Sequence, residues 1–200
     1  MAAPIEFYFD FSSPYGYLAA QRIDELGEEH GREVRWKPFL LGVVFKTTGA
    51  RPLLDIPMKG EYARRDLARS ARLFDAPFTL PKPFPFMAVA ASRATYWLSD
   101  QDAQAGKALA RALFHAAFGE GRDISAPAAV AGVAADLGYD EEEVLAALQN
   151  PRIKDRLKSE VDAALKKGVF GSPFVIVDGE PFWGYDRLED INLWLETGGW

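Results

Sequence analysis

Ser13, Pro14, Tyr15 and Gly16 stand where an apolar stretch, residues 5–11, hands over to a run with helical period, residues 14–31. A serine at that junction can act in two ways. It can cap the helix, with Pro14 at the first helical position. It can also present a hydroxyl beside backbone N–H groups that no helical carbonyl claims, a setting that stabilises an anion. No histidine lies in the turn, so a self-activated serine nucleophile needs a distant base. A hydroxyl that donates to another molecule's anion needs none. The chain has no cysteine, which excludes disulfides, thiolate metal sites and a protein thiol nucleophile. Two histidines, His30 and His115, are too few for a histidine-rich metal site.

Other candidates are scattered along the chain. Gly171-Ser172-Pro173 precedes the apolar run FVIVD, and a proline at the first residue of a strand is permitted. Gly184-Tyr185-Asp186-Arg187 opens a last amphipathic segment, where Asp186 either caps the helix or holds charged ends of a ligand. Lys59, in IPMKGEY, is a lone lysine before a helix, of the kind that is usually solvated. His115 sits in ALFHAAF and reads as a core or cleft histidine. His30, just before Gly31, suits a helix C-terminus. Arg64, Arg65, Arg69 and Arg72 alternate with Asp66 and Asp75 and read as a solvated helix face.

The elements that must position these residues follow from periodicity. Residues 5–11 are dense in β-formers, residues 14–31 form a helix ending at Gly31, and residues 33–39 form a second strand. The right-handed crossover rule makes those strands parallel neighbours. From about residue 53 to 168 apolar residues recur at i, i+3 and i+4 in segment after segment, each bounded by Gly, Pro or Asp. LPKPFPF, residues 80–86, is a proline-rich connector. FVIVDGEPFWG, residues 174–184, is a hairpin turning at Asp178-Gly179, and residues 185–196 form the last helix. The order β-α-β, helical block, β-β-α is that of an α/β thioredoxin-like fold with an inserted all-helical domain. The expected boundaries are residues 1–45 and 169–200 for the thioredoxin-like part and 46–168 for the insertion with its connectors. In such a fold the Ser172–Pro173 bond is expected to be cis, beside the Ser13 turn.

Bulk properties narrow the function. Two hundred residues with 48% hydrophobic and 13% aromatic content can build a large core. The net charge of −6, with a pI near 5.0, excludes the basic face of a nucleic-acid binder. The N-terminal MAAPIEFYF has no basic n-region or long apolar h-region, and no 18-residue apolar run occurs, so neither a signal peptide nor a membrane span is expected. The expectation is a cytoplasmic protein.

Four motifs, FYFDFSSPYGYL, RPLLDIPMKGEY, FGSPFVIVDG and FWGYDRLEDI, occur in one order over residues 7–191. Together they resemble the kappa-class glutathione transferases and their bacterial relatives, the 2-hydroxychromene-2-carboxylate isomerases. The Ser13–Gly16 turn also matches the place of the C-P-Y-C turn of thioredoxin-like proteins, with both cysteine positions replaced. The resemblance implies that glutathione is the cofactor and that Ser13 hydrogen-bonds its sulfur. It places Lys59 near the glycyl carboxylate, Ser172 and Pro173 along the cysteinyl backbone, and Tyr185 and Asp186 at the γ-glutamyl end. It implies covalent catalysis by a borrowed thiolate on an aromatic or electrophilic small molecule, no metal, and a homodimer in which LPKPFPF is a candidate contact. Relatives commonly have asparagine at the position of Ala50, and many have a polar residue at that of Met87. Both departures are expected to make the substrate pocket less polar. A transferase acting on another electrophile and a non-catalytic thioredoxin-fold binding module are the alternatives. The absence of cysteine removes a disulfide oxidoreductase.

Overall fold

The computed structural model describes residues 3–200. β1 (Ile5–Phe9) leads through the Ser13 turn into α1 (Pro14–Ala20) and α2 (Ile23–Glu29), and β2 (Val34–Pro38) follows. Then come α3 (Leu41–Thr48), α4 (Lys59–Leu73), α5 (Val89–Ser99), α6 (Ala103–Phe114), α7 (Pro127–Asp136), α8 (Glu141–Gln149) and α9 (Pro151–Lys166). The chain closes with β3 (Phe174–Val177), β4 (Glu180–Trp183) and α10 (Leu188–Thr197). The sheet order is β2-β1-β3-β4, with β1 parallel to β2 and antiparallel to β3, and β3 antiparallel to β4. This is the expected thioredoxin-like arrangement.

The sheet is covered on both faces, which is why β1 and β3 read as nearly continuous apolar runs. Phe7 and Phe9 pack on Trp36 on one face, and Phe9 and Phe11 meet Phe114 of α6. Tyr8, Phe174 and Ile176 point the other way, onto Leu157, Val161 and Ala164 of α9. One core therefore runs unbroken from the sheet into the helical block. No helix among the described residues is long and apolar enough to cross a membrane.

Two expectations are corrected. The single helix over 14–31 is two helices. The Gln21 side-chain amide takes the Tyr17 carbonyl that a continuing α-helix would use, and the Gln21 and Arg22 N–H groups fall back to carbonyls three residues earlier. The stretch after β2 folds as α3, which spans residues 45 and 46. His115 is no core or cleft histidine. Its side chain is 55% exposed and lies 3.6 Å from Glu120, because α6 ends there in a π-turn, His115–Gly119. The connector's Phe84 and Phe86 both turn inward to Phe118, leaving Pro83, Pro85 and Met87 at the surface.

Candidate active site

Ser13 has extended backbone (φ −99°, ψ 109°) and starts α1 as its cap, with Pro14 in the first turn. Its Oγ accepts the Gly16 N–H at 3.0 Å and donates to the Ser172 carbonyl at 2.8 Å. The Tyr15 N–H is left without an acceptor among the described residues. The Ser172–Pro173 bond is cis, and Ser172 Oγ accepts the Asp10 N–H at 2.9 Å. The strand end, the Ser13 turn and the loop before β3 are therefore stitched together by two serine hydroxyls. Gly16 belongs to the same knot: a Cβ there would lie 3.0 Å from Ser172 Oγ and 3.4 Å from Ser13 Oγ.

Asp10 lies beneath the turn, 3% exposed. Its Oδ1 accepts the Ser12 N–H at 2.7 Å and the Ser12 hydroxyl at 2.9 Å, and its Oδ2 accepts the Leu41 N–H at 2.7 Å. Burial pushes this carboxyl above its ordinary pKa, against the opposing pull of those bonds. Asp10 thus fixes the start of α3, whose residues Leu41 and Phe45 wall the cleft above Ser13.

That cleft has a volume of about 990 Å³ and is lined by Ser13, Lys59, Ser172, Pro173, Tyr185 and Asp186 together. Lys59, at the N-terminus of α4, is exposed and in no ion pair among the described residues. Tyr185 stacks on Tyr15 with ring centres 5.3 Å apart, and its hydroxyl lies 2.5 Å from Ser70 Oγ. Asp186 does not cap α10. It is exposed and pairs with Arg187 at 3.0 Å, while Arg187 also reaches Asp190 at 2.7 Å.

Three further cleft residues receive no role from the sequence. Asp66, read as part of a solvated face, accepts from the Tyr15 hydroxyl at 3.0 Å and from Arg69. Burial raises the Tyr15 pKa most, and the Asp66 bond adds to it. The rest of that face, Arg64, Arg65 and Arg72, is exposed as expected. Phe170 and Trp183, 4.9 Å apart and both largely exposed, flank Ser172. Both lie inside sequence motifs, Phe170 opening FGSPFVIVDG and Trp183 second in FWGYDRLEDI, but neither has an expected role there. Ala50 lines the cleft, but Met87 lines a different one, so only the first departure bears on this site.

The DSBA-like thioredoxin domain family matches residues 4–196. This chain belongs to that family. It is 31% identical over 186 residues to a 2-hydroxychromene-2-carboxylate isomerase of Pseudomonas putida, covering 92% of this chain and 90% of that protein. It is 30% identical over 204 residues to glutathione S-transferase kappa 2 of Caenorhabditis elegans, covering 96% and 91%. The solved structure of a 2-hydroxychromene-2-carboxylate isomerase superposes with a TM-score of 0.87 at 29% identity, covering 96% of this chain and 94% of that one. The family branch with the isomerases and kappa-class transferases is thus the one this DSBA-like chain occupies, and the chain is an enzyme.

Proposed function

We propose that this protein is a glutathione-dependent isomerase of the 2-hydroxychromene-2-carboxylate isomerase type. The observation that supports this most is the meeting of all six motif residues in one cleft. The donor set fits glutathione: a free cation in Lys59 for a carboxylate, a hydroxyl in Ser13 for sulfur, and a carboxylate in Asp186 for an ammonium. Bound glutathione supplies a thiolate, the form of a thiol that attacks.

The chain's own part is to hold and activate that thiolate. The Ser13 hydroxyl donates to the Ser172 carbonyl in the protein alone. On binding it turns to the sulfur, and the Ser172 carbonyl is released to accept an N–H from the extended tripeptide. The unclaimed Tyr15 N–H adds a second donor on the same side. Charge-assisted bonds of this kind lower the thiol pKa. In this reading residues 1–45 and 169–200 handle glutathione, and the helical unit, residues 46–168, adds Lys59 and much of the wall for the second substrate. A homodimer and a cytoplasmic location, where the reduced glutathione pool lies, belong to the same reading. Sedimentation as a single 22.1 kDa chain at micromolar concentration argues against the dimer.

A kappa-class transferase acting on another electrophile is the second reading, and Ala50 in the cleft wall favours it. Two measurements decide. Glutathione raises the melting temperature in a dose-dependent way if it binds the native state. Turnover of 2-hydroxychromene-2-carboxylate against an aryl halide then separates isomerase from transferase. No thermal shift with glutathione would tell against both readings.

A further inference from the structure

We propose that a second cleft, centred on Arg93, binds a small carboxylic acid with an apolar body. The cleft has a volume of about 450 Å³, within the usual range of small-molecule sites. Its walls are mainly apolar, from the connector (Pro83, Pro85, Met87), α5 (Val89) and the start of α7 (Pro127), with Ser125 and Gln149 as neutral polar residues. Arg93 is the one cationic residue lining it.

The state of that guanidinium carries the argument. Arg93 joins no ion pair among the described residues, although thirteen such pairs hold other charges. Nη1 has one long bond, 3.3 Å, to the Leu148 carbonyl at the end of α8. Nε is buried and has no hydrogen-bond partner among the described residues. A cation set among mainly apolar walls with no counter-charge is under-compensated, and an incoming anion supplies one. A single planar guanidinium matches a carboxylate in fork geometry. The apolar walls reward an attached hydrocarbon and give a small inorganic anion nothing. This inference is independent of glutathione binding.

The chain contains three methionines, which provide a local probe. Met87 is 73% exposed on the cleft, and Met58 is 87% exposed beside Lys59 and serves as the control. The protein carries ¹³C-methyl methionine and is titrated with benzoate, and separately with acetate and benzyl alcohol. Benzoate is expected to shift the Met87 methyl saturably while Met58 stays still, and neither control compound does so over the same range. Arg93→Gln is expected to weaken benzoate about tenfold, one charge-assisted contact, and Arg93→Lys to fall between. The proposal is overturned if benzoate leaves Met87 unmoved, moves Met58 instead, or binds Arg93→Gln and Arg93→Lys as well as wild type. It is also overturned if Met87 shifts with protein concentration alone, which would make the cleft a contact between copies of the chain.

Discussion

Ser13→Ala separates capping from catalysis. The substitution removes an oxygen with two bonds, from the Gly16 N–H and to the Ser172 carbonyl. Loss of a serine cap costs about 0.5–2 kcal/mol. Ser172 is only partly buried, so water can reach its released carbonyl and the added cost lies at the low end, about 1 kcal/mol. The sum is near 2 kcal/mol, and in a chain of this length about 1 kcal/mol moves Tm by about 2–4 °C. The variant is expected to fold and to melt about 4–8 °C lower. Its effect on bound glutathione is larger in kind. A hydrogen bond to a charged group contributes about 1.5–3 kcal/mol, so the thiol pKa in the complex rises by about one to two. Thermal unfolding measures the first quantity, and thiolate absorbance against pH measures the second. A lowered Tm with an unchanged thiol pKa would refute the proposed role and leave Ser13 as a helix cap.

Asp186→Asn is expected to weaken glutathione about tenfold, the low end for a charge-assisted contact, because Asp186 is exposed and already shared with Arg187; equal calorimetric affinities would misplace the γ-glutamyl end. Lys59→Gln should raise the glutathione Kd a few-fold and flatten its salt dependence, since an exposed cation is screened; an unchanged salt slope tells against the contact. Asp10 gives a pH signature. Its folded pKa is raised above the ordinary value of 3.8, so as pH rises through that value the unfolded chain releases a proton that the folded chain keeps. Stability contributed by this group is therefore full below the unfolded pKa and lost as pH climbs to the folded one. Urea unfolding at a series of pH values should show that loss in wild type and not in Asp10→Asn; parallel profiles would contradict it.

What was legible in the sequence was what is encoded locally. The Ser13 cap with Pro14 behind it needs no distant partner. Nor does the hairpin turn, where Asp178 and Gly179 both adopt positive φ, 52° and 95°, as a two-residue turn requires. α3 was not legible, because LGVVFKTT is rich in β-branched residues and its first N–H is held by Asp10, 31 positions earlier. With α3 unread, Phe45 could not be placed in the cleft. Met87 and Ala50 looked alike as departures, yet the path of the connector, not the residue type, sends one to each cleft. Asp66 looked like one more surface charge until the fold brought Tyr15 to it.

The contact between Gly16 and Ser172 makes a two-cysteine turn hard to reach by single steps. Returning cysteines to both ends of the Ser13–Gly16 turn requires a side chain at position 16, and its Cβ alone would press on Ser172 Oγ at 3.0 Å. That hydroxyl cannot swing aside freely, since the Asp10 N–H holds it at 2.9 Å. Ser172 Oγ must therefore shift by a few tenths of an ångström, or be removed, to admit a side chain at position 16. A Gly16→Cys substitution made first meets steric resistance, whereas one made on a Ser172→Ala background meets less. Libraries that explore this turn one residue at a time therefore meet Ser172 as an obstacle to a second cysteine.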